Sequence, residues 1–318
     1  MRCWRAWASW PNRNRDQRER HWLNEILMPF TSLRISPRSM LFVSGENAER
    51  FPKAMGAGAD LVCIDLEDAV HADRKQSARD SVIGWLGTNR SSQGPPIALR
   101  INGLRTRDGL RDLLALHDSK VRLDWLLVPK VEDAAELHAL HAWAGDCYQR
   151  LTALIETPAG VENALAIAQS GGRLAALMLG GADLAVALGA QCDWDGLLHA
   201  RGRLVNAAKA AGLQAWDVPY LDLNRPDDLH NETRKVLALG FGCKAAIHPR
   251  QISIIHAAFA PTPAELAWAN ALLQAIPDGS STGAFIFEGC MVDAPVLRKA
   301  RRVVELSNVA MSDAAVKR

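Results

Sequence analysis

The chain has 318 residues, of which 48% are hydrophobic and 23% are charged, enough to bury the core of one large α/β barrel or of two smaller domains. Its net charge is +2, and without the six arginines and three acidic residues of positions 1–28 it has 31 basic and 32 acidic residues, which argues against a nucleic-acid partner. The six cysteines form no CxxC pair, which predicts reduced thiols in a cytoplasmic protein, and no apolar run approaches the roughly 18 residues that span a bilayer.

The first segment in chain order, residues 1–28, carries four tryptophans among its arginines. It has neither the apolar centre of a signal peptide nor the pattern of an amphipathic helix. We therefore interpret it as an N-terminal extension upstream of the true start. A mitochondrial presequence and a partner-binding arm remain as alternatives.

Short apolar runs alternate with longer helical patterns from Ser39 onward. Eight such strand–helix units predict a closed (β/α)₈ TIM barrel over residues 36–260, and an open sheet is disfavoured because neither a dinucleotide-binding glycine motif nor a P-loop appears. The expected strands are Met40–Val43, Leu61–Asp65, Ile97–Ile101, Trp125–Val128, Leu151–Ile155, Ala175–Leu179, Leu213–Trp216 and Lys244–Ile247. The helical patterns include Asp133–Trp143, Val161–Ala168, Leu197–Ala211 and Asp227–Leu239.

Residues 261–318 follow the eighth expected strand and predict a C-terminal helical extension. Helical patterns occupy Pro263–Ile276 and the region near Pro295–Ser307, and the Gly/Ser-rich segment Asp278–Gly283 separates them. An extension at this point of the chain can cover the mouth of its own barrel or of a neighbour's.

Ionisable residues stand at or just past nearly every expected strand. In a TIM barrel these positions meet at one rim, where active sites are built. The residues are Glu67, Asp68, Arg100, Lys130, Glu156, Asp183, Asp217 and His248. So many charges at strand ends favour an active-site rim over a set of solvated loop residues.

Two carboxylates, Glu156 and Asp183, lie 27 positions apart, the first directly after a buried-looking run and the second four positions after the end of another. Carboxylate oxygens at one barrel rim can hold a hard divalent cation, so we predict a divalent-cation site with these two residues as its protein ligands. Arg100 offers a planar permanent cation that can bind an anionic oxygen such as that of a carboxylate, with a buried ion pair as the alternative role. His248 is interpreted as a residue that ties its loop together rather than as a general base.

Eight short segments together resemble the HpcH/HpaI aldolase/citrate lyase family, and within it the citrate lyase beta subunit-like CoA-ester lyases. They occur in the family's order from about Arg38 to about Leu306. The segments are Pro37–Val43, Asp65–Val70 followed by Lys75 and Arg79, Arg100–Asn102, Val128–Lys130, Ile155–Thr157, Gly180–Leu184, Ile247–Pro249 with Gln251, and Met291–Asp293.

This resemblance implies a Mg²⁺-dependent TIM-barrel enzyme, usually a homotrimer, that cleaves or forms a carbon–carbon bond in 3-hydroxyacyl thioesters such as malyl-, citramalyl- or citryl-CoA. Its expected partners are therefore a CoA thioester and a 2-oxo acid. Two alternatives stay open. One is a CoA-independent aldolase acting on a 4-hydroxy-2-oxo acid, and the other is a citrate lyase beta-type subunit that acts only with an acyl carrier protein complex.

The resemblance also implies roles for residues around the metal and the coenzyme. One or both of Glu67 and Asp68 are expected to contact the water shell of the metal and to orient Arg100. Lys75 and Arg79, four positions apart on one helix, form a basic pair suited to CoA phosphates, and the alternative for each is a solvated helix face.

Arg38 and Asp293 are the first and the last residues along the chain to which a role is assigned. Arg38 is a third candidate for the CoA phosphates. Asp293 resembles the residue that a neighbouring subunit places over the barrel mouth, where its carboxylate exchanges a proton with the acyl carbon. The alternative for Asp293 is an N-cap of the helix expected near Pro295.

Overall fold

The computed structural model describes residues 37–89, 94–276 and 284–316, with side chains described as far as residue 308. Eight parallel strands form a closed barrel in chain order, and the first strand pairs with both the second and the eighth. The predicted TIM barrel is therefore confirmed. The strands are β1 (Ser39–Ser44), β2 (Leu61–Asp65), β3 (Ile97–Arg100), β4 (Leu123–Val128), β5 (Tyr148–Ile155), β6 (Leu174–Leu179), β7 (Gln214–Asp217) and β8 (Cys243–Ala246).

Helices connect successive strands of the barrel. They are α1 (Phe51–Met55), α2 (Lys75–Thr88), α3 (Arg107–Ser119), α4 (Ala134–Ala144), α5 (Pro158–Glu162), α6 (Ala164–Ala168), α7 (Gly181–Leu188), α8 (Trp194–Ala210), α9 (Pro226–Leu239) and α10 (Arg250–Phe259), with short 3₁₀ turns at Ala48–Arg50 and Ala72–Arg74. The single helix expected over Val161–Ala168 is divided at Asn163, whose side-chain amide donates to the Glu132 carbonyl.

Short polar side chains fix where several of these helices begin. Thr106 accepts the Gly109 N–H before α3, and Asp193 accepts the Gly196 N–H before α8. Asp133 and Glu136 form a reciprocal capping box at α4. Each cap satisfies N–H groups that the first helical turn leaves unpaired, so the helix starts follow from the sequence.

Alternating side chains along the strands divide the core into two layers. Residues such as Cys63 point into the barrel and join a cluster that includes Trp125 and Trp216, whose ring centroids lie 4.8 Å apart. Their neighbours, such as Ile64, point outward and pack under the helices. The filled interior makes the barrel a solid core, and chemistry is confined to its ends.

The strand register sets which side chains meet at the C-terminal rim. Asp65 on β2 pairs with Arg100 on β3, and Ile155 at the end of β5 pairs with Leu179 at the end of β6. The residues that follow these strands therefore emerge side by side at one end of the barrel.

Residues from Ala260 onward form a second compact unit. It contains α11 (Pro263–Gln274), the antiparallel strands β9 (Phe285–Phe287) and β10 (Cys290–Val292), and α12 (Ala294–Val316). The two expected C-terminal helices are present, whereas the hairpin was not predicted because its strands have only three residues each. Its turn uses positive φ at Glu288 and Gly289, as a two-residue hairpin requires.

Two features of the sequence lie outside the described residues. They are the N-terminal extension 1–28 and the whole Gly/Ser-rich segment Asp278–Gly283 before β9. Within the described part of the chain, no helix combines the length and the apolar character needed to cross a membrane.

Candidate active site

Arg100 and Asp65 form a two-bond clamp at the ends of neighbouring strands. Nε of Arg100 donates to Oδ1 of Asp65 at 2.7 Å, and Nη2 donates to Oδ2 at 2.5 Å. The same carboxylate accepts the N–H groups of Glu67 and Ala69, so it also holds the loop after β2. The guanidinium lies over the Phe42 ring, 5.0 Å from its centroid. Arg100 is thereby fixed in one orientation.

The loop after β2 places one carboxylate inside the site and another at its open edge. Glu67 is buried, and its Oε2 lies 2.9 Å from Nη1 of Arg100 but has no hydrogen-bond partner among the described residues. Burial raises the pKa of Glu67, although the positive charge of Arg100 opposes the shift. The Asp68 side chain is 57% exposed, with its carboxylate 3.7 Å from Nη1 of Arg100.

Lys130, directly after β4, connects the carboxylates across the rim. Its ammonium lies 2.6 Å from Oε1 of Glu67 and 3.0 Å from Oδ2 of Asp183. Its backbone N–H donates to Oε1 of Glu156 at 2.8 Å. Burial disfavours the charged lysine, but hydrogen bonds to Glu67 and Asp183 outweigh burial and raise the pKa of its ammonium.

The two predicted metal ligands follow neighbouring strands. Glu156 comes directly after β5 and is only 3% exposed. Burial, followed by the negative charge of Glu67, raises the pKa of Glu156 to about 7. Asp183 lies in the first turn of α7, just after β6, where the helix N-terminus favours a negative charge.

Gly180 provides the space that the Glu156 carboxylate fills. A Cβ atom at position 180 would lie 2.3 Å from both Cβ and Oε2 of Glu156, closer than non-bonded atoms approach. A larger residue here would displace the carboxylate. The glycine between β6 and α7 is therefore part of the site.

These residues fit a hard divalent cation such as Mg²⁺. The available donors are carboxylate oxygens, and the raised pKa of Glu156 indicates a negative charge that its neighbours do not fully compensate. Across the described ranges, no three His, Cys, Asp or Glu side chains are grouped as a metal-binding set. A cation held by Glu156 and Asp183 would therefore complete its coordination with water and substrate.

The three basic residues expected to bind CoA phosphates are not equivalent in the structure. Arg79 is 2% exposed and bonded to Asp112 and Asp108, so its guanidinium cannot reach a phosphate in solvent. This burial argues against both the expected role of Arg79 in binding CoA phosphates and its alternative place on a solvated helix face. Lys75 donates to the carbonyls of Leu66 and Glu67, and it thereby braces the loop after β2.

Arg38 lies at the other end of the barrel from the site. It directly precedes β1 and bonds to Asp60, which directly precedes β2, through Nε at 2.8 Å and Nη2 at 2.9 Å. Residues before parallel strands lie at the N-terminal end of a TIM barrel, whereas the carboxylate site lies at the C-terminal end. The expectation that Arg38 joins the CoA-binding set is therefore corrected.

Three further predicted residues have clear local roles. Oδ1 of Asp293 accepts the Val296 N–H at 3.3 Å, so Asp293 caps α12 within the second unit. Nδ1 of His248 accepts the Arg250 N–H at 3.1 Å, which fits the interpretation of a loop-tying histidine. Asp217, expected at the rim, lies within β7 and is fully buried.

Sequence reasoning gave Lys130 no role beyond a rim charge and did not single out Gly180. Each has a signal in the sequence. Lys130 directly follows the run that forms β4, and Gly180 begins a Gly-Gly pair just before Asp183. A glycine pair between a buried run and a candidate ligand is typical of a close approach by another group.

Comparison with known proteins extends over the whole barrel. The HpcH/HpaI aldolase/citrate lyase family matches residues 38–249. The citrate lyase subunit beta of Leuconostoc mesenteroides subsp. cremoris is 35% identical over 284 residues, which cover 85% of this chain and 93% of that protein. The mitochondrial citramalyl-CoA lyase of Rattus norvegicus is 32% identical over 295 residues, which cover 85% of this chain and 86% of that protein.

A solved structure extends the similarity to three dimensions. The protein CitE from Mycobacterium tuberculosis, in complex with magnesium, acetoacetate and coenzyme A, superposes with a TM-score of 0.76. The two proteins are 34% identical, and the match covers 87% of this chain and 100% of that chain.

Proposed function

The chain belongs to the HpcH/HpaI aldolase/citrate lyase family, and from that membership we propose that it is a Mg²⁺-dependent carbon–carbon lyase acting on a 3-hydroxyacyl-CoA thioester. Malyl-, citramalyl- and citryl-CoA are the substrates to consider. The products are a 2-oxo acid, or its equivalent, and an acyl-CoA, and the same site can run the reverse condensation.

One observation carries the proposal: a clamped guanidinium and a group of carboxylates that includes the under-compensated Glu156 occupy the same barrel rim. Asp65 fixes Arg100 through two of its nitrogens, while Nη1 faces Glu67. Glu156 retains a raised pKa although the Lys130 N–H donates to it. Such a rim binds a divalent cation and an anionic substrate together.

The reaction sets what the site must do. In the cleavage direction, the bond between the second and third carbons of the acyl chain breaks. The hydroxyl on the third carbon loses its proton and becomes the carbonyl of the 2-oxo acid, while the bonding electron pair stays on the second carbon as a thioester enolate. Protonation of that carbon gives the acyl-CoA. The site must therefore accept a proton, donate a proton and stabilise negative charge.

The residues of the rim divide these tasks. We assign to Arg100 the stabilisation of negative charge on substrate oxygen, because its orientation is fixed before the substrate binds. We assign the uptake of the hydroxyl proton to Asp68, because its exposed carboxylate can pass the proton to water. Glu67 orients Arg100 through its Oε2. Mg²⁺, when held by Glu156 and Asp183, supplies Lewis-acid stabilisation of the substrate's oxygen atoms.

Asp293 remains in the proposal as the donor of a proton to the acyl carbon, from a neighbouring copy in a homotrimer. Chains carrying Arg100→Ala or Asp293→Ala are each expected to be inactive. Hybrid trimers from equal mixing should regain roughly a quarter of their sites, because an intact rim and an intact Asp293 then come from different chains. Activity no higher than that of the two parents would leave Asp293 with its capping role alone.

The decisive experiment for the function is a panel of hydroxyacyl-CoA thioesters assayed for released oxo acid with Mg²⁺ and with EDTA. Mg²⁺-dependent release from a CoA thioester supports the proposal. Activity only on a free 4-hydroxy-2-oxo acid would identify a CoA-independent aldolase instead. Activity only on a thioester of an acyl carrier protein would identify a citrate lyase beta-type subunit, an alternative favoured by the similarity to citrate lyase subunit beta.

A further inference from the structure

Lys130 touches every carboxylate of the candidate metal site. Its ammonium lies 2.6 Å from Glu67, 3.0 Å from Asp183 and 3.8 Å from Asp68. Its backbone N–H holds Oε1 of Glu156 at 2.8 Å. One residue thus links the ends of β2, β5 and β6 from its place after β4.

The backbone conformation of Lys130 determines where its N–H and its side chain point. Its φ is +54°, in the left-handed region that residues other than glycine rarely adopt. That conformation lets the N–H point at Glu156 while the side chain extends toward Glu67 and Asp183. An unfavourable backbone is retained when the surrounding contacts stabilise it by more than it costs.

We propose that Lys130 is a positioning residue of this site, and that its ammonium competes with Mg²⁺ for the Asp183 carboxylate. The inference rests on the proposed function, because it presupposes that Glu156 and Asp183 bind Mg²⁺. Without the divalent ion, the ammonium holds Glu67 and Asp183 together against their mutual repulsion. When the divalent ion binds, the ammonium yields its place at Asp183 and remains bonded to Glu67.

Electrostatics predicts the direction in which the Lys130 ammonium changes the affinity for Mg²⁺. A monovalent and a divalent cation at one carboxylate cluster repel each other strongly in a partly buried site. Removal of the ammonium should therefore tighten Mg²⁺ binding. The same removal should destabilise the protein in EDTA, because Glu67 and Asp183 lose the cation between them. A lysine with a purely structural role would give the opposite result for Mg²⁺, since loosening the site weakens metal binding.

Lys130→Met is the main test, because methionine keeps the length of the stem and removes the charge. Lys130→Arg restores a cation and serves as the rescue. Lys120→Met is the matched control, since Lys120 also has a left-handed backbone, with φ of +57°, but caps α3 on the surface. Lys130→Gly is the second variant should Lys130→Met fail to fold, because glycine adopts this backbone without strain.

The measurements are Mg²⁺ titration by calorimetry and melting temperature in EDTA, both on the full chain. We expect Lys130→Met to lower the Kd for Mg²⁺ at least about tenfold and to lower the Tm in EDTA by about 3 °C. Lys130→Arg and Lys120→Met should stay near the wild-type Kd.

Two contrary results are distinguishable. If the wild-type protein binds Mg²⁺ and Lys130→Met binds it equally or more weakly, the competition is wrong while the proposed function stands. If the wild-type protein binds no Mg²⁺, the metal site itself is wrong, and the inference about Lys130 falls with it.

Discussion

Two carboxylate clusters on the same barrel differ in how completely positive charge compensates them. Asp217 on β7 is fully buried between two cations: Arg201 donates to Oδ1 at 2.9 Å and Lys244 donates to Oδ2 at 2.8 Å. Burial alone would raise the pKa of Asp217, but Lys244 and Arg201 lower it below its usual range. Glu156 at the end of β5 has the opposite balance, because burial and Glu67 raise its pKa to about 7.

The difference distinguishes a carboxylate whose charge is neutralised within the fold from one whose charge is available to a ligand. Both carboxylates follow from the same sequence pattern, a charge at the end of an apolar run. Asp217 has a cation on each oxygen, whereas Glu156 has a backbone N–H on Oε1 and other carboxylates nearby. An under-compensated carboxylate can bind a cation that arrives with the substrate, and a fully compensated one cannot.

The largest expected effect is on turnover. Glu156→Gln keeps the shape of the side chain but removes the charge that would bind Mg²⁺, so turnover should fall by about a hundredfold or more. The fold should persist, because the variant removes a buried charge rather than a partner of one. Activity assays with Mg²⁺ and circular dichroism check both statements. Wild-type turnover in a protein that still binds Mg²⁺ would refute the ligand assignment.

Asp217→Asn should lower stability and leave turnover unchanged, the reverse of what is expected for Glu156→Gln. Removing the charge of Asp217 leaves two buried cations, Lys244 and Arg201, to share Glu232, so the free energy of unfolding should fall by about 3–5 kcal/mol. The turnover of the fraction that stays folded should remain near wild type. Denaturant unfolding combined with active-site titration separates the two quantities. A specific loss of turnover without a loss of stability would make Asp217 part of the reactive rim.

Opposite pKa shifts predict opposite responses to pH. The folded-state pKa of Glu156, about 7, lies above its ordinary value of 4.5, so its contribution to stability is present below pH 4.5 and is lost as the pH rises through 7. The loss is about 3 kcal/mol at most, from 1.36 kcal/mol per pKa unit. The lowered pKa of Asp217 gives a contribution that is lost only in acid, below its usual value of 3.8.

Unfolding in EDTA at pH 5 and pH 8 measures this response. Glu156→Gln should flatten the decline in stability between these two pH values. Asp217→Asn should leave that decline unchanged. A wild-type protein that is equally stable at both pH values, with the same unfolding cooperativity, would show that Glu156 is compensated as fully as Asp217.

The sequence predicted the strands well because buried parallel strands are continuous apolar runs. All eight strand ends lie within one residue of the predicted position, and four of them, including those of β2 and β5, coincide with it. The one-residue shift at β7 mattered, since it placed Asp217 inside the strand instead of past it. The glutamate and aspartate of the candidate metal site were identifiable because they lie just past the ends of neighbouring strands.

Partners of the cations could not be predicted, because they depend on how each helix is rotated against the sheet. Arg79 meets Asp112, 33 positions away, and Arg201 meets Asp217 across the α8–β7 contact. Arg38 is different. Its position just before a strand already indicated the N-terminal end of the barrel, so its assignment to the CoA set neglected topology rather than packing.

The smallest expected effect tests the space around Glu156. Gly180→Ala would place a methyl group 2.3 Å from Oε2 of Glu156, so the carboxylate must move. Overpacking of this kind typically costs about 1–3 kcal/mol. We expect that loss to appear as a Kd for Mg²⁺ raised by roughly tenfold, with turnover lowered in step.

Gly202→Ala is the matched control for this substitution. Gly202 lies within α8, and a Cβ there meets nothing within 4 Å. Alanine has the higher helix propensity, so Gly202→Ala should raise stability by about 0.5–1 kcal/mol and leave Mg²⁺ binding unchanged. Calorimetric titration of both variants gives the answer. If Gly180→Ala binds Mg²⁺ as tightly as Gly202→Ala does, the Glu156 carboxylate has room to move without penalty, and its close packing is not what sets its reactivity.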